Sequence, residues 1–190
     1  MKQIGVLSFQ GSVEEHIQML QKLPVHPFRV HSLETLLKAD GLIIPGGEST
    51  TFLKILHFSG LYTPLQEKIK QGLPTMATCA GLILLASQIE SLSQETMDLL
   101  PIRVCRNGYG PQIASFCEDI SVKGLGTPFH AVFIRAPIIT TCGAVDILAS
   151  DSFGHPVLVQ KEKILGLTFH PELTEDSRLH DFFVHFIDKI

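Results

Sequence analysis

The chain of 190 residues carries a formal net charge of -4, and 45% of its residues are hydrophobic while only 18% are charged. A chain of this length can bury a substantial core, so we expect residues 1–190 to form a single domain. The negative charge and the absence of any Lys/Arg cluster in the sequence argue against nucleic acid or an anionic membrane as ligand. The charged fraction is lower than usual, which suggests that a partner covers some apolar surface.

Residues 1–9 contain too short an apolar run for a signal peptide, and no run in the sequence reaches membrane-spanning length. We therefore expect a cytoplasmic protein. The four cysteines are scattered without a C-x-x-C pair, which favours free thiols over a disulfide framework or a zinc site. These cysteines are Cys79, Cys105, Cys117 and Cys142.

The first part of the chain alternates between strand and helix patterns. Ser12 and Glu15 have the S-x-x-E spacing of a capping box, and Ser32 is a second candidate N-cap. Residues 42–44 are apolar on both faces, as in a parallel strand covered by helices. In chain order we predict a strand in residues 1–9, a helix over 12–23, a strand over 27–30, a brief helix over 32–37 and a strand over 42–44.

Adjacent glycines, Gly46 and Gly47, follow this third strand in the run Pro-Gly-Gly-Glu-Ser-Thr-Thr of residues 45–51. They allow a ligand to approach the main chain, although an ordinary strand-to-helix loop is the more common meaning of such a run. Helical patterns follow up to Phe58 and over residues 61–70.

Pro74 opens an apolar run that has the length of a strand up to Cys79. After Cys79 the small and aliphatic residues continue too far for a single strand. The pattern predicts a strand, a turn at Cys79 and a buried helix up to about Ala86. A nucleophile on such an elbow projects from the carboxyl edge of a sheet, where the helix N-terminus favours a thiolate. The N–H of Ala80 would face the oxygen of a carbonyl under attack. On this window alone, a buried cysteine without chemical role is the commoner alternative.

Alternating strands and helices up to Ala86 predict an open, mostly parallel α/β sheet, whose ligands bind beyond the carboxyl ends of the strands. From Ser87 the pattern changes to a polar connector over residues 91–97 and then to short strands separated by Gly and Pro signals. The strand candidates are residues 100–104, 113–116, 129–134, 145–149, 157–160 and 164–169. A last helix is predicted to start at residues 174–177 with acidic residues in its first turn, and its buried face comprises Leu179, Phe182, Phe183 and Phe186.

His170, Pro171 and Glu172 follow the last strand candidate. Pro171 disfavours a helical conformation at His170, and in extended chain side chains two residues apart face the same way. A carboxylate beside an imidazole fixes its tautomer and stabilises its cation, which the base of a cysteine nucleophile requires. A lone histidine is usually structural. We interpret the other histidines as surface, packing or strand-end residues, namely His16, His26, His31, His57, His130, His155, His180 and His185.

Five segments resemble the class I glutamine amidotransferases and, more narrowly, the PdxT/SNO family, the glutaminase subunits of pyridoxal phosphate synthase. Each motif alone is moderately specific, but all five occur in matching order and spacing, and the likeness runs from Ile4 to the final helix. The segments are Pro-Gly-Gly-Glu-Ser-Thr at 45–50, Thr-Cys-Ala-Gly-Leu-Ile-Leu-Leu-Ala at 78–86, Arg-Asn at 106–107, Phe-Ile-Arg-Ala-Pro at 133–137 and His-Pro-Glu-Leu at 170–173.

The resemblance implies a three-layer α/β fold and hydrolysis of L-glutamine to glutamate and ammonia, with no cofactor or metal. It also implies a hetero-oligomer, in which ammonia passes along a protected path to a synthase subunit that combines it with a pentose phosphate and a triose phosphate. In family roles, Cys79 is the nucleophile, His170 the base and acid, and Glu172 its orienting partner. Glutamine would be held by Gly47, Glu48, Ser49, Arg106, Ile134 and Arg135, and the oxyanion by the N–H groups of Gly47 and Ala80.

The chain departs from the family pattern at Ala77, where glycine is usual, and at Gly108 and Pro111, where a bulkier residue and an arginine are common. An extra methyl group at position 77 costs on the order of 1 to 3 kcal/mol unless a small shift absorbs it. These departures leave open a non-catalytic regulatory subunit of the same fold. A glutaminase serving another synthase, such as imidazole glycerol phosphate synthase, and a cysteine hydrolase acting on peptides or aldehydes are further alternatives, which the motifs disfavour.

Overall fold

The computed structural model of the chain describes residues 1–90, 93–110 and 114–188. Its helices are α1 (Val13–Gln21), α2 (Leu33–Leu36), α3 (Ser49–Phe58), α4 (Tyr62–Lys70), α5 (Ala80–Leu85) and α6 (Arg178–Asp188), and Pro171–Leu173 is a 3₁₀ turn. Its strands are β1 (Gln3–Leu7), β2 (His26–Val30), β3 (Gly41–Ile44), β4 (Thr75–Thr78), β5 (Ala86–Ile89), β6 (Leu100–Cys105), β7 (Ser115–Ile120), β8 (Phe129–Ile134), β9 (Ile138–Cys142), β10 (Asp146–Ser150), β11 (Pro156–Lys161) and β12 (Ile164–Leu167). No helix in these ranges is long and apolar enough to cross a membrane.

A seven-stranded sheet in the order β10-β11-β12-β4-β3-β1-β2 forms the centre of the molecule. The five strands from β12 to β2 are parallel, and β11 and β10 extend the sheet as an antiparallel hairpin. Two smaller sheets lie outside it, β5-β6-β9 and the hairpin β7-β8. The mostly parallel α/β sheet predicted from the sequence is therefore confirmed.

Successive residues of the central strands pack on opposite faces of this sheet, as the two-residue period of a strand requires. In β3, Leu42 and Ile44 join one apolar core while Ile43 joins the other. The first core lies against α3, α4, α5 and the sheet β5-β6-β9, and the second against α1, α6 and the hairpin β7-β8. The result is the three-layer arrangement that the family resemblance implied.

Three neighbouring parallel strands, β3, β4 and β12, end at the same edge of the sheet. Pro45 follows β3, Cys79 follows β4, and the segment leading to His170 follows β12. Leu167 of β12 lies opposite Thr78 of β4, so the two strands place their following segments side by side. The order of the strands thus brings together residues that are far apart in the chain.

Several local predictions were wrong in detail. Ser12 precedes α1 but makes no side-chain capping bond, because its backbone, with φ -77° and ψ 51°, is not in the extended conformation of a capping-box residue. The box forms at Ser32 instead, where the side chains of Ser32 and Thr35 each accept from the other residue's backbone N–H. The last helix begins at Arg178, so Glu175 and Asp176 precede it rather than occupy its first turn.

Strands β5 and β9 were not predicted, because both are short and lack the alternation that marks a half-buried strand. The predicted strand over 113–116 instead spans Ser115–Ile120, with Ile113 outside the described residues. Pro111 and the start of the predicted connector, residues 91–92, also lie outside them.

The structure accommodates the two described departures from the family pattern. Ala77 is fully buried in β4, and its register partner in β12 is Gly166, which carries no side chain to compete for space. Gly108 packs against Ile138, where an added Cβ would lie 2.6 Å from that side chain. The bulkier family residue therefore does not fit at Gly108 unless Ile138 moves.

Gly81 provides a test of how closely α5 packs on the sheet. Alanine is usually better than glycine in a helix by about 1 kcal/mol, but a Cβ at Gly81 would lie 2.3 Å from the backbone oxygen of Ile44. We expect Gly81→Ala to lower the free energy of unfolding by about 1 to 3 kcal/mol, measured by urea denaturation. Gly126→Ala is the control, since no atom of the described residues, apart from Gly126 and its two chain neighbours, lies within 4 Å of the added Cβ. Equal stability of Gly81→Ala and the wild type would contradict the packing argument.

Candidate active site

A cavity of about 420 Å³ opens at the carboxyl edge of β3, β4 and β12. Most of the residues selected from the sequence line it, which places them in one site: Gly47, Glu48, Ser49, Cys79, Ala80, Arg106, Ile134, Arg135 and His170. Glu172 lies behind His170, where it is 4% exposed. Six further residues line the cavity, to which the sequence analysis assigned no site role although three of them stand in the family motifs: Gln10, Gly11, Ser12, Ile83, Asn107 and Leu173.

Cys79 forms the turn between β4 and α5, as predicted. Its backbone has φ 48° and ψ -103°, a conformation that a residue with a side chain rarely adopts. Its N–H donates to the carbonyl of Leu167 in β12 at 2.8 Å, which fixes the elbow to the strand that leads to His170. Ala80 begins α5, so its N–H belongs to the first helical turn and has no acceptor within the helix.

His170 lies between Cys79 and Glu172. Its Nδ1 is 2.7 Å from Glu172 Oε1, and its backbone N–H donates to Val132 of β8 at 2.8 Å. His170 is non-helical, as the following proline predicted, but residues 171–173 form a 3₁₀ turn rather than extended chain. The expected side-by-side arrangement of His170 and Glu172 is thus reached by a turn.

Gly46 leaves the space that this arrangement needs. A Cβ at Gly46 would lie 2.4 Å from His170 Cε1 and 3.4 Å from Cys79 Cβ, so both side chains border the same glycine. Gly11 is packed as tightly, because its Cβ would lie 1.6 Å from the Gly46 carbonyl oxygen. The loops after β1 and β3 therefore meet through glycines directly beside the thiol.

The charges of the buried pair are set by its hydrogen bonds. Burial alone would lower the pKa of His170, but hydrogen bonds and charges from Cys79 and Glu172 outweigh it and raise the pKa to about 10. Burial would likewise raise the pKa of Glu172, yet its electrostatic interaction with His16 and its hydrogen bond with His170 hold the pKa at about 2. At neutral pH the site therefore holds an imidazolium beside a carboxylate.

Two histidines that we interpreted as surface or packing residues belong to this site. His16 and His180 are fully buried, and His16 Nε2 lies 3.4 Å from Glu172 Oε2. The contact was not predicted because His16 on α1 and His180 on α6 are 164 positions apart in the sequence. The only sequence feature that could have indicated a role for these residues is the position of a histidine on the apolar face of an amphipathic helix.

Glu48 and Arg106 form the second charged group of the cavity. Glu48 caps α3 by accepting hydrogen bonds from the backbone N–H groups of Thr50 and Thr51, at 3.2 and 2.8 Å. Arg106 Nη2 donates to Glu48 Oε1 at 2.9 Å, and its Nη1 lies 3.5 Å from Gln94 Oε1. Burial works against ionisation of Glu48, but hydrogen bonds from Thr50 and Thr51 lower its pKa to about 2. The Glu48 side chain is thus engaged by its own helix and by Arg106.

Two backbone segments complete the rim of the cavity. Gly47 has φ 154°, and Gln10 Nε2 donates to the neighbouring Glu48 carbonyl at 2.5 Å. Arg135 has φ 43°, and its N–H donates to the Ala114 carbonyl at 2.6 Å. Both segments hold unusual backbone conformations at the cavity, as binding loops often do.

A family model described as "SNO glutamine amidotransferase family" matches residues 6–189. The chain belongs to this family. Curated relatives include the pyridoxal 5'-phosphate synthase subunit PdxT of Fervidobacterium nodosum, 46% identical over 187 residues that cover 98% of this chain and 97% of the relative. The protein of the same name from Kosmotoga olearia is 50% identical over 184 residues, with 95% of each chain covered.

Solved structures agree with this membership. A crystal structure of a glutamine amidotransferase matches with a TM-score of 0.92 and 41% identity, covering 97% of this chain and 98% of that one. PurLQS from Thermotoga maritima matches with a TM-score of 0.63 at 18% identity, with 100% and 97% covered, which shows the fold alone. The recognition made from the five motifs is confirmed.

The raised pKa of His170 predicts how stability depends on pH. Between its ordinary value of 6.5 and about 10, native His170 keeps a proton that the unfolded chain releases. The free energy of unfolding should therefore fall as pH rises through this window, by up to about 1.4 kcal/mol per pH unit for this proton. Urea denaturation at several pH values measures the slope.

The His170→Asn variant should lack this part of the slope. Below pH 6.5 both states hold the proton, so the same experiment contains its own control region. An identical slope in wild type and His170→Asn would show that His170 does not hold the proton.

Proposed function

We propose that this chain hydrolyses the side-chain amide of L-glutamine to L-glutamate and ammonia through a triad of Cys79, His170 and Glu172. One observation carries the proposal. A cysteine on a strained elbow borders an imidazole that a buried carboxylate holds at 2.7 Å, in a chain of the SNO glutamine amidotransferase family. The cavity volume of about 420 Å³ suits a small-molecule substrate.

The reaction proceeds in two halves. Because His170 already holds its proton at neutral pH, Cys79 reacts as the thiolate of an ion pair with the imidazolium, and its sulfur adds to the amide carbon of glutamine. The N–H groups of Gly47 and Ala80 stabilise the resulting oxyanion, a type of contact worth roughly 3 to 4 kcal/mol per donor. His170 then protonates the departing nitrogen, which leaves as ammonia, and a glutamyl thioester remains on Cys79.

Hydrolysis of the thioester regenerates the enzyme. His170, now neutral, takes a proton from water as the water oxygen adds to the thioester carbon. Collapse of this second tetrahedral intermediate expels the sulfur as a thiolate and releases glutamate, while the proton taken from water stays on His170 and restores the imidazolium. Glu172 keeps the imidazole in the tautomer that presents the correct nitrogen to Cys79 in both halves.

Substrate recognition falls to the polar residues of the rim. Arg106 offers a guanidinium that matches the α-carboxylate of glutamine, and its exposed ion pair with Glu48 is weak enough to be shared or exchanged. Ser49, Ile134 and Arg135 complete the binding site, together with the backbone of Gly47 and Glu48.

The curated relatives carry the name pyridoxal 5'-phosphate synthase subunit PdxT, which supports a role of this chain as one subunit of such a complex. We propose that it docks on a synthase subunit as a hetero-oligomer and passes ammonia to it along a protected path. Residues 1–190 act as one glutaminase domain. The cytoplasmic location expected from the sequence stays a prediction.

Cys79→Ala and His170→Asn test the triad. Each should lower glutamine hydrolysis by at least about a thousandfold, because the nucleophile and its base act as a unit. Hydrolysis is measured with and without the synthase subunit, and pyridoxal phosphate formation is measured with glutamine or with free ammonium. Both variants should lose glutamine-dependent synthesis and keep the ammonium-dependent reaction.

The matched control is Cys117→Ala, which removes an exposed thiol on β7 and should leave the rate unchanged. Hydrolysis surviving in Cys79→Ala would refute the nucleophile assignment. Hydrolysis absent in the wild type under both conditions, with glutamine still bound, would support the non-catalytic subunit instead.

Arg106→Gln tests the carboxylate contact. The KM for glutamine should rise about 10- to 100-fold with a smaller change in kcat, because a contact made equally in the bound and transition states is lost. Steady-state kinetics with the synthase subunit present measures both constants. Arg29→Gln, which removes an exposed arginine paired with Glu14 on α1, is the control. An unchanged KM in Arg106→Gln would remove Arg106 from the binding site.

A further inference from the structure

A buried group of side chains lies next to the second carboxylate oxygen of Glu172. His16 of α1 and His180 of α6 are both 0% exposed, and His16 Nδ1 is 2.9 Å from His180 Nε2. His16 Nε2 faces two acceptors, Thr78 Oγ1 at 3.3 Å and Glu172 Oε2 at 3.4 Å. Among the described residues, neither Glu172 Oε2 nor His180 Nδ1 has a hydrogen-bond partner, so the 3.4 Å contact with His16 Nε2 is an electrostatic one.

The contacts select one tautomer for each histidine. If His16 Nε2 lacked a proton, its lone pair would face the Glu172 carboxylate at 3.4 Å, and the two would repel each other. With the proton on Nε2, His16 Nδ1 must accept, so His180 Nε2 donates to it. His180 Nδ1 is then a buried acceptor without a partner, which is less costly than a buried donor without one.

Both histidines are neutral in this arrangement. Burial lowers the pKa of His16, which the charge of His170 lowers further while those of Glu172 and Glu15 raise it. Burial also lowers the pKa of His180, to about 3, with His16 and Lys22 acting in the same direction and Glu172 against them. The network is therefore a chain of neutral donors that ends at a buried carboxylate.

We propose that His16, held in its tautomer by His180, is a positioning residue of the reaction that orients Glu172 toward His170. The inference rests on the proposed glutaminase function and deepens it. Without His16, the second oxygen of this buried carboxylate loses its electrostatic contact with the ring nitrogen, and the carboxylate can turn away from His170 or take up a proton. Either change removes the group that fixes the tautomer of the base.

His16 also contacts both the segment that carries Cys79 and the orienting carboxylate. Thr78 is the last residue of β4 and directly precedes Cys79, while Glu172 lies in the turn after β12. Because one ring nitrogen faces both side chains, a shift of α1 would move the nucleophile and the orienting carboxylate together. The position of α1 therefore controls the geometry of the site. His16 itself contributes no reacting atom.

Two substitutions of His16 separate its contacts. In His16→Gln the amide nitrogen reaches the place of Nε2 and keeps a donor for Glu172, whereas in His16→Asn the amide reaches only the place of Nδ1. With the synthase subunit present, we expect His16→Asn to lower kcat by about 100-fold with KM unchanged, since a misplaced catalytic group costs this much. His16→Gln should recover most of this loss. Equal kcat in wild type and a folded His16→Asn would overturn the proposal.

His180→Leu keeps the experiment decisive if His16→Asn does not fold. It removes the donor to His16 Nδ1, so His16 can place its proton on either nitrogen, and kcat should fall about 10-fold. The control on the same helix is His185→Leu, at an exposed histidine, which should match the wild type. A folded His180→Leu with wild-type kcat would overturn the part assigned to His180.

Nitrogen-15 NMR of the histidine rings tests the network without any turnover. In Cys79→Ala protein we expect His16 and His180 to be neutral and protonated on Nε2, and His170 to show a low-field Nδ1 proton bonded to Glu172. Adding His16→Asn should shift or remove that low-field signal, and adding His16→Gln should keep it. A proton on His16 Nδ1 would contradict the positioning role. A low-field His170 signal that His16→Asn leaves unchanged would also contradict it.

The kinetic and NMR measurements distinguish a failure of the proposed function from a failure of the positioning role. Wild-type protein without glutaminase activity under any condition would refute the proposed function while the NMR result still decides the orientation of Glu172. Conversely, normal activity in His16→Asn would refute the positioning role alone.

Discussion

The hydrogen bond between His170 Nδ1 and Glu172 Oε1, at 2.7 Å, is the interaction on which the site depends. A carboxylate that is only 4% exposed is stable as an anion only where donors and a cation surround it. Glu172 meets this requirement through His170 on one oxygen and through His16, at 3.4 Å, on the other. Each partner stabilises the charged form of the other against the effect of burial. The pKa of Glu172 is therefore lowered to about 2, and that of His170 is raised to about 10.

The sheet supplies the rigidity that this pair needs. β4 and β12 are neighbours in register, so Cys79 and the segment that carries His170 leave the sheet side by side. The Cys79 N–H bonds to β12 and the His170 N–H bonds to β8, which fixes the backbone of both residues to the strands beside them. The conformation of Cys79, with φ 48°, persists because these bonds and the closely packed Gly46 and Gly81 leave no space for a relaxed turn.

Part of this architecture could be predicted from the residues. Buried strands and strong turn signals located β1 to β4, β8 and β12, and the elbow at Cys79 followed from a change in run length. The short strands β5 and β9 could not be found, because tertiary packing rather than pattern decides such segments. For the site, motifs selected residues whose chemistry shows in local spacing, such as His170 and Glu172. His16 and His180 were not recognised because His180 contacts His16 and His16 contacts Glu172, so the group joins three elements distant in the chain. A buried histidine on a helix gives the same sequence pattern as a packing residue.

Glu48 and Glu172 show why two carboxylates with equally lowered pKa values, each about 2, have different roles. Glu48 is partly exposed and owes its low pKa to hydrogen bonds with the first turn of α3, which would exist without any ligand. Its ion pair with Arg106 is solvated, so exchange of that pair costs about 1 kcal/mol or less. Glu172 is buried, and loss of either partner would strand a charge away from water. In the proposed reaction, the exchangeable pair therefore suits a substrate that binds and leaves, and the permanent pair suits a base that must have the same orientation in every cycle.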